Sequence, residues 1–294
     1  MLEPGFFEKP MVIECAGQAL VGILHSAPTV NRRGVVIVVG GPQYRVGSHR
    51  QFVLLARYLA RHGFSVLRFD YRGMGDSGGE QRTFENIGED IASAIEAFVH
   101  AQPELREIVI WGLCDAASAA LFYAHRDERV KGLVLLNPWV HTEQSEAKVY
   151  LKRYYRQRLL SADLWRKVAK GDFDFQQSLS SLTAFASKAL LSSARKQNPI
   201  ASKADGHFME KLPLPERMRV GLERFSGRVL LILSGRDLTA DQFRDLVSRD
   251  ADWQQLLSHP RISRRELPEA DHTFSTREWR DQAASWTLEW LNSW

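Results

Sequence analysis

Residues Ile108-Val109-Ile110-Trp111-Gly112-Leu113-Cys114-Asp115-Ala116-Ala117 read as a buried strand, a sharp turn and the start of a helix. Gly112 and Ala116 stand two places before and two places after Cys114, the spacing that presents a nucleophile at a tight strand-to-helix bend. Backbones pass closely at such a bend, which excludes bulky flanking side chains. The helix that follows favours negative charge at its start, first on a thiolate and then on an oxyanion. A nucleophile in this position needs an acid and then a histidine, each placed after a later strand.

Both are present, in that order. Asp237, in Ser234-Gly235-Arg236-Asp237, directly follows the apolar run 228–234, and Asp241 is the alternative acid. Either could instead cap the next helix. Of the nine histidines, His272 alone follows the last expected strand and precedes the final helix. Asp271 is its chain neighbour, and adjacent side chains usually point apart. Acyl transfer needs a nucleophile, a base and donors for the oxyanion, and Cys114, His272 and Asp237 supply the first two roles with an orienting acid.

The surrounding pattern is that of an α/β protein. An N-terminal β-hairpin is expected over 11–25. Strands at 34–40, 64–70, 107–111 and 130–137 alternate with helices at 51–62, 84–100 and 116–125. Such alternation predicts a mostly parallel central sheet flanked by helices. It breaks between Thr142 and Arg224, where only helix-like stretches occur (149–160 and 182–194), and resumes with a strand at 228–234. A helix near 241–247, a strand at 262–267 and a helix at 277–292 complete the chain. The expected organisation is therefore a core of 1–141 and 225–294 with a helical cap, 142–224, inserted after the sixth strand. The cap carries 16 Lys/Arg against 9 Asp/Glu, and its aromatics, Tyr150, Tyr154, Tyr155, Trp165, Phe173 and Phe175, read as its own core.

The 294 residues are 44% hydrophobic and 25% charged, with a formal charge of +4, an ordinary globular composition. Cys15 and Cys114 have no metal-type spacing, so neither a metal nor a disulfide framework is expected, and no cofactor is implied. The N-terminus lacks the pattern of a signal peptide, and no apolar run reaches the roughly 18–20 residues of a membrane-spanning helix. A cytoplasmic, reducing location is the expectation. No nucleic-acid motif and no stable membrane insertion are expected; a homodimer is left open. The expected partner of such an acyl-transfer set is a small-molecule acyl substrate.

The oxyanion donors expected are the Asp115 backbone N–H and one N–H from the loop Gly40-Gly41-Pro42-Gln43, at Gly41 or Gln43. Pro42 holds the usual donor position and has no N–H. Arg45, His49 and Arg50 on the same loop could meet an anionic substrate group. Gly73-Met74-Gly75-Asp76-Ser77-Gly78 has dinucleotide-type glycine spacing. Its helix begins several residues too late, however, and no acidic residue ends a next strand about 20 residues on. Ser77 lacks an elbow of its own.

Asp70-Tyr71-Arg72-Gly73-Met74-Gly75-Asp76-Ser77 resembles the D-x-R-G-x-G-x-S loop of α/β-hydrolases. With the elbow and Asp271-His272-Thr273-Phe274, that similarity covers nearly the whole chain outside the cap. More finely, 40–50 and 112–116 resemble the exosortase A system-associated hydrolases, type 1, which are tied to bacterial exopolysaccharide and protein-sorting loci. A Cys-Asp-His set also resembles dienelactone hydrolase, although the cap and the proline-bearing loop depart from it. The resemblance implies an α/β-hydrolase fold and an esterase or thioesterase with a cysteine nucleophile. An acyltransferase using the same three residues and an inert, hydrolase-like binding protein are the alternatives.

Overall fold

The computed structural model describes residues 6–29, 31–41, 43–140 and 212–294. The expected cap, with its helix-like stretches and its aromatics, falls largely on 141–211 and lies outside the described residues, as does Pro42. Among the described residues eight strands form one sheet in the order β1-β2-β4-β3-β5-β6-β7-β8. The strands are β1 Phe7–Cys15, β2 Gln18–Ser26, β3 Arg33–Val38, β4 Val66–Phe69, β5 Glu107–Leu113, β6 Val130–Leu136, β7 Arg228–Ser234 and β8 Ile262–Leu267. β1 pairs antiparallel with β2, and β2 with β4. From β4 through β8 every pairing is parallel.

Parallel strands need crossovers, and the helices supply them: α1 Gln51–Arg61, α2 Gly88–Ala101, α3 Asp115–Tyr123, α4 Leu214–Arg224, α5 Leu238–Arg249, α6 Ala251–Leu257 and α7 Arg277–Leu291. Because strand side chains alternate, β3 feeds two layers. Val35, Ile37 and Val39 join Phe52, Leu55 and Leu59 of α1 and Trp290 and Leu291 of α7 in one buried cluster. Gly34 turns the opposite way, where a Cβ would sit 2.7 Å from Phe98 of α2. This double burial is why the central strands are β-branched on both faces rather than alternating.

Two details differ from the sequence reading. Residues 84–100 form a 3₁₀ turn, Phe84–Asn86, and then α2, because Gly88 offers little to hold the first turn in register. α4, which falls in the stretch assigned to the cap because strand alternation breaks there, packs on the core instead. Gly221 lies so close to α3 that a Cβ there would be 2.2 Å from the Leu121 carbonyl oxygen, and Arg217 bonds Glu85.

The 70–78 loop is an internal brace. Asp70 is fully buried and accepts from the backbone N–H groups of Arg45, at 2.5 Å, and Asp76, at 3.2 Å. Gly75 has φ +52 and a Cβ there would lie 2.2 Å from an Asp70 carboxylate oxygen, so only glycine admits this packing. Arg72 grips Asp90 through its Nε and Nη2, at 3.0 and 2.9 Å, with side-chain exposures of 4% and 0%. Removing one partner of so buried a pair strands the other charge. Arg72→Met should therefore lower stability by about 3–5 kcal/mol, read from urea unfolding, and adding Asp90→Asn should restore part of the loss. A single variant within experimental error of wild type would contradict this account of the loop.

Candidate active site

Cys114 stands between β5 and α3 with φ +63 and ψ −126, a conformation rare for a residue bearing a Cβ. The bend is held from both sides. Cys114 N–H donates to the Leu136 carbonyl at 2.8 Å, and its own carbonyl accepts from Ala117 N–H at 3.0 Å and Trp139 N–H at 3.2 Å. A Cβ on Gly112 would come within 2.7 Å of the Ala116 backbone, which explains the small residues at those two positions. The sulfur-bearing residue is half-buried, whereas Cys15 is buried.

His272 follows β8, and its Nδ1 lies 2.9 Å from an Asp237 carboxylate oxygen. Asp237 ends the turn after β7 and is 5% exposed. The same carboxylate caps α5, accepting from Thr239 N–H and Ala240 N–H at 3.1 Å each. Helix capping and histidine contact, weighed as alternatives in the sequence, are thus made by one side chain. Asp241 instead pairs with Arg244 at 3.2 Å, and Asp271 accepts from the N–H groups of Thr273 and Ser275.

Burial disfavours the His272 imidazolium. Hydrogen bonding to Asp237 and then to Cys114, together with their charges, outweighs that cost and raises its pKa to about 10. The three residues meet at the carboxyl ends of β5, β7 and β8, the rim where parallel sheets place their ligands. Chemically this is an imidazole able to hold a proton near a thiol-bearing residue, with one nitrogen oriented by a carboxylate.

The loop after β3 is arranged differently from expectation. Gly41 N–H donates to an Asp115 carboxylate oxygen at 2.8 Å, so this candidate oxyanion donor is engaged by the protein itself. The other carboxylate oxygen has no hydrogen-bond partner among the described residues and lies where a Cβ on Gly40 would be 2.1 Å away. Burial pushes the Asp115 carboxyl up, opposed by the N–H groups of Gly41, Ala116 and Asp115 itself and by the charge of His272. Gly40, which lacks the Cβ that would exclude this carboxylate, is its signal in the sequence.

Gln43 accepts from Ser48 N–H at 3.3 Å through its side chain. Arg45 corrects an expectation: its guanidinium is bound by Asp70 and, at 2.6 Å, by Asp76, so it braces the loop rather than facing a substrate. His49 and Arg50 are exposed, with φ +53 and +61. One residue that pattern-reading passed over, Asn137, binds both Ser234 and the His272 carbonyl. A polar residue closing the apolar run 130–136 was its only mark.

The raised pKa of His272 has a definite sign. Relative to its ordinary value of 6.5, a folded-state value of about 10 means that the imidazolium's contribution to stability is complete below pH 6.5 and is lost as pH climbs through about 10. The stability gap between wild type and Asp237→Asn, measured by urea unfolding, should shrink across that window. A gap unchanged from pH 6.5 to 10 would contradict it.

Comparison with known proteins follows the same lines. The family description "Serine aminopeptidase, S33" matches residues 30–193, more than half of the chain. Human protein ABHD12B is 29% identical over 126 residues, and Pseudomonas aeruginosa protein PA2218 is 33% identical over 103. These matches cover 42% and 33% of this chain but only 34% and 27% of those relatives. The Pyrococcus furiosus esterase Pf2001 superposes with a TM-score of 0.64 at 16% identity, covering 98% of this chain and 93% of its own. Dienelactone hydrolase from Anabaena variabilis gives 0.59 at 15% identity, covering 98% of each chain. Likeness at such identities shows the fold. No helix among the described residues is long and apolar enough to cross a membrane. With the sheet order, the elbow and the family match together, the chain belongs to the serine aminopeptidase S33 family of α/β-hydrolases.

Proposed function

We propose that this protein hydrolyses ester or thioester bonds through a cysteine acyl-enzyme. Cys114 is the nucleophile, His272 the proton carrier and Asp237 the group that orients the imidazole. The observation that carries this reading is the imidazole held by Asp237 at 2.9 Å with the Cys114 sulfur close enough to raise its pKa.

The Cys114 thiolate attacks the acyl carbonyl carbon, whose π electrons move onto oxygen. The oxyanion then collapses, breaking the bond to the leaving group, which takes the proton held on His272 Nε2. Water attacks the resulting thioester while His272 accepts its proton. Collapse releases the acid and returns Cys114 to its starting state. The Asp115 backbone N–H is the first oxyanion donor. Gly41 N–H is the second once the Asp115 carboxylate yields it. With Pro42 lacking an N–H, the loop offers few others.

The substrate's acyl chain and its place in exopolysaccharide or exosortase chemistry belong to this proposal, carried by the resemblance of segments 40–50 and 112–116. A cytoplasmic setting suits a free thiol. A homodimer is compatible with the proposal, which takes no nucleic acid or membrane as a partner. A second reading, an inert binding protein, draws support from the Asp115 carboxylate on Gly41 N–H, because a carboxylate and an oxyanion cannot share that donor.

A panel of p-nitrophenyl esters and acyl thioesters of varied chain length separates the two. The hydrolase reading expects turnover by wild type, loss in Cys114→Ala, and stoichiometric iodoacetamide labelling of Cys114 at neutral pH that disappears in His272→Ala. Acyl release dependent on an added hydroxyl acceptor would redirect the assignment to an acyltransferase. No turnover by wild type, labelling at the rate of a free thiol, and turnover appearing in Asp115→Ala would instead establish the inert form.

A further inference from the structure

The end of β6 and the segment leaving it contact the backbones of both Cys114 and His272. Leu136 and Trp139 hold the backbone of Cys114 from either side, and the Trp139 carbonyl accepts from Ser118 Oγ of α3 at 2.7 Å. Between them, Asn137 is fully buried, and its N–H donates to the Ile232 carbonyl of β7 at 3.1 Å. Its φ of +43 lies in the left-handed region that asparagine tolerates better than most non-glycine residues.

The side chain reaches the end of β7 and the backbone of His272. Asn137 Oδ1 accepts from Ser234 N–H at 2.9 Å. Its Nδ2 donates to Ser234 Oγ at 2.8 Å and to the His272 carbonyl at 3.2 Å. Ser234 ends β7, three residues before Asp237. One carboxamide therefore joins chain segments 97 and 135 residues away, while its neighbours hold the nucleophile. Only an amide can serve here. An aliphatic side chain would strand Ser234 N–H and the His272 carbonyl, and a carboxylate would set an acceptor against that carbonyl.

We propose that Asn137 is a positioning residue that fixes the His272 imidazole relative to the Cys114 sulfur through its hydrogen bonds to Ser234 and to the His272 backbone. The proposal rests on the reading above that Cys114 and His272 work as a pair. It assigns to Asn137 a function beyond closing a strand: a displaced carbonyl carries the imidazole with it and weakens the contact that keeps the thiol reactive.

The test is the rate of Cys114 alkylation by iodoacetamide across pH, with thermal unfolding measured alongside. Asn137→Gly removes the amide yet accommodates the positive φ. It should slow alkylation at neutral pH by about tenfold, within the hundredfold that a displacement of about 1 Å can cost, and move the rate–pH curve toward that of an ordinary thiol. Ser234→Ala leaves the bond to the His272 carbonyl and should move the curve in the same direction by less. Folded variants with the wild-type curve overturn the proposal, even if they melt earlier. Should Asn137→Gly fail to fold, Ser234→Ala decides alone: a displaced curve supports the proposal and an unchanged one overturns it. A wild type that alkylates like a free thiol overturns the pairing itself and the proposal with it.

Discussion

One imidazole joins two acidic groups delivered from separate strands, and the architecture of the described residues is arranged to permit it. His272 meets Asp237 at 2.9 Å and feels the Cys114 sulfur, which raises its pKa, although the three are brought by β8, β7 and β5. That meeting needs parallel strands ending at one rim, a sharp bend to lift Cys114, and a cap on α5 to fix Asp237. Each is present for a local reason. The bend closes because Gly112 and Ala116 leave room, and Asp237 is immobilised by two helix N–H groups before it bonds the histidine.

The same economy appears in the loops. Asp115 supplies a backbone N–H at the start of α3 while its carboxylate enters the space left by Gly40 and bonds Gly41. Charge at this position opposes charge on an acyl oxygen, and burial already disfavours the ionised form. The α/β-hydrolase framework therefore carries a carboxyl group where it bears on the chemistry. Arg45 and Arg72, by contrast, are committed to buried carboxylates and stabilise the 70–78 turn.

Legibility in the sequence followed the range of the interactions. The elbow could be read because its constraint is local: small residues at fixed offsets around Cys114. Strands β3, β5 and β7 could be read because burial on both faces leaves apolar runs. His272 and Asp237 could be placed by their position after a strand, without any knowledge of distance. Arg45 could not be assigned from its loop, since its partners Asp70 and Asp76 come from another turn. Asn137 was equally opaque, for its three side-chain bonds reach residues about a hundred positions away. α4 shows the converse error, where the absence of a strand pattern over 142–224 cannot say which body a helix packs on.

In the proposed function the sulfur of Cys114 becomes acylated with help from His272. Brief incubation with an activated acyl ester, acid quenching and mass analysis of the peptide containing Cys114 tests it directly. The account predicts one acyl group on that cysteine in wild type, removable by neutral hydroxylamine and missing from His272→Ala. Acylation of another residue, or equal acylation in the histidine variant, would contradict it.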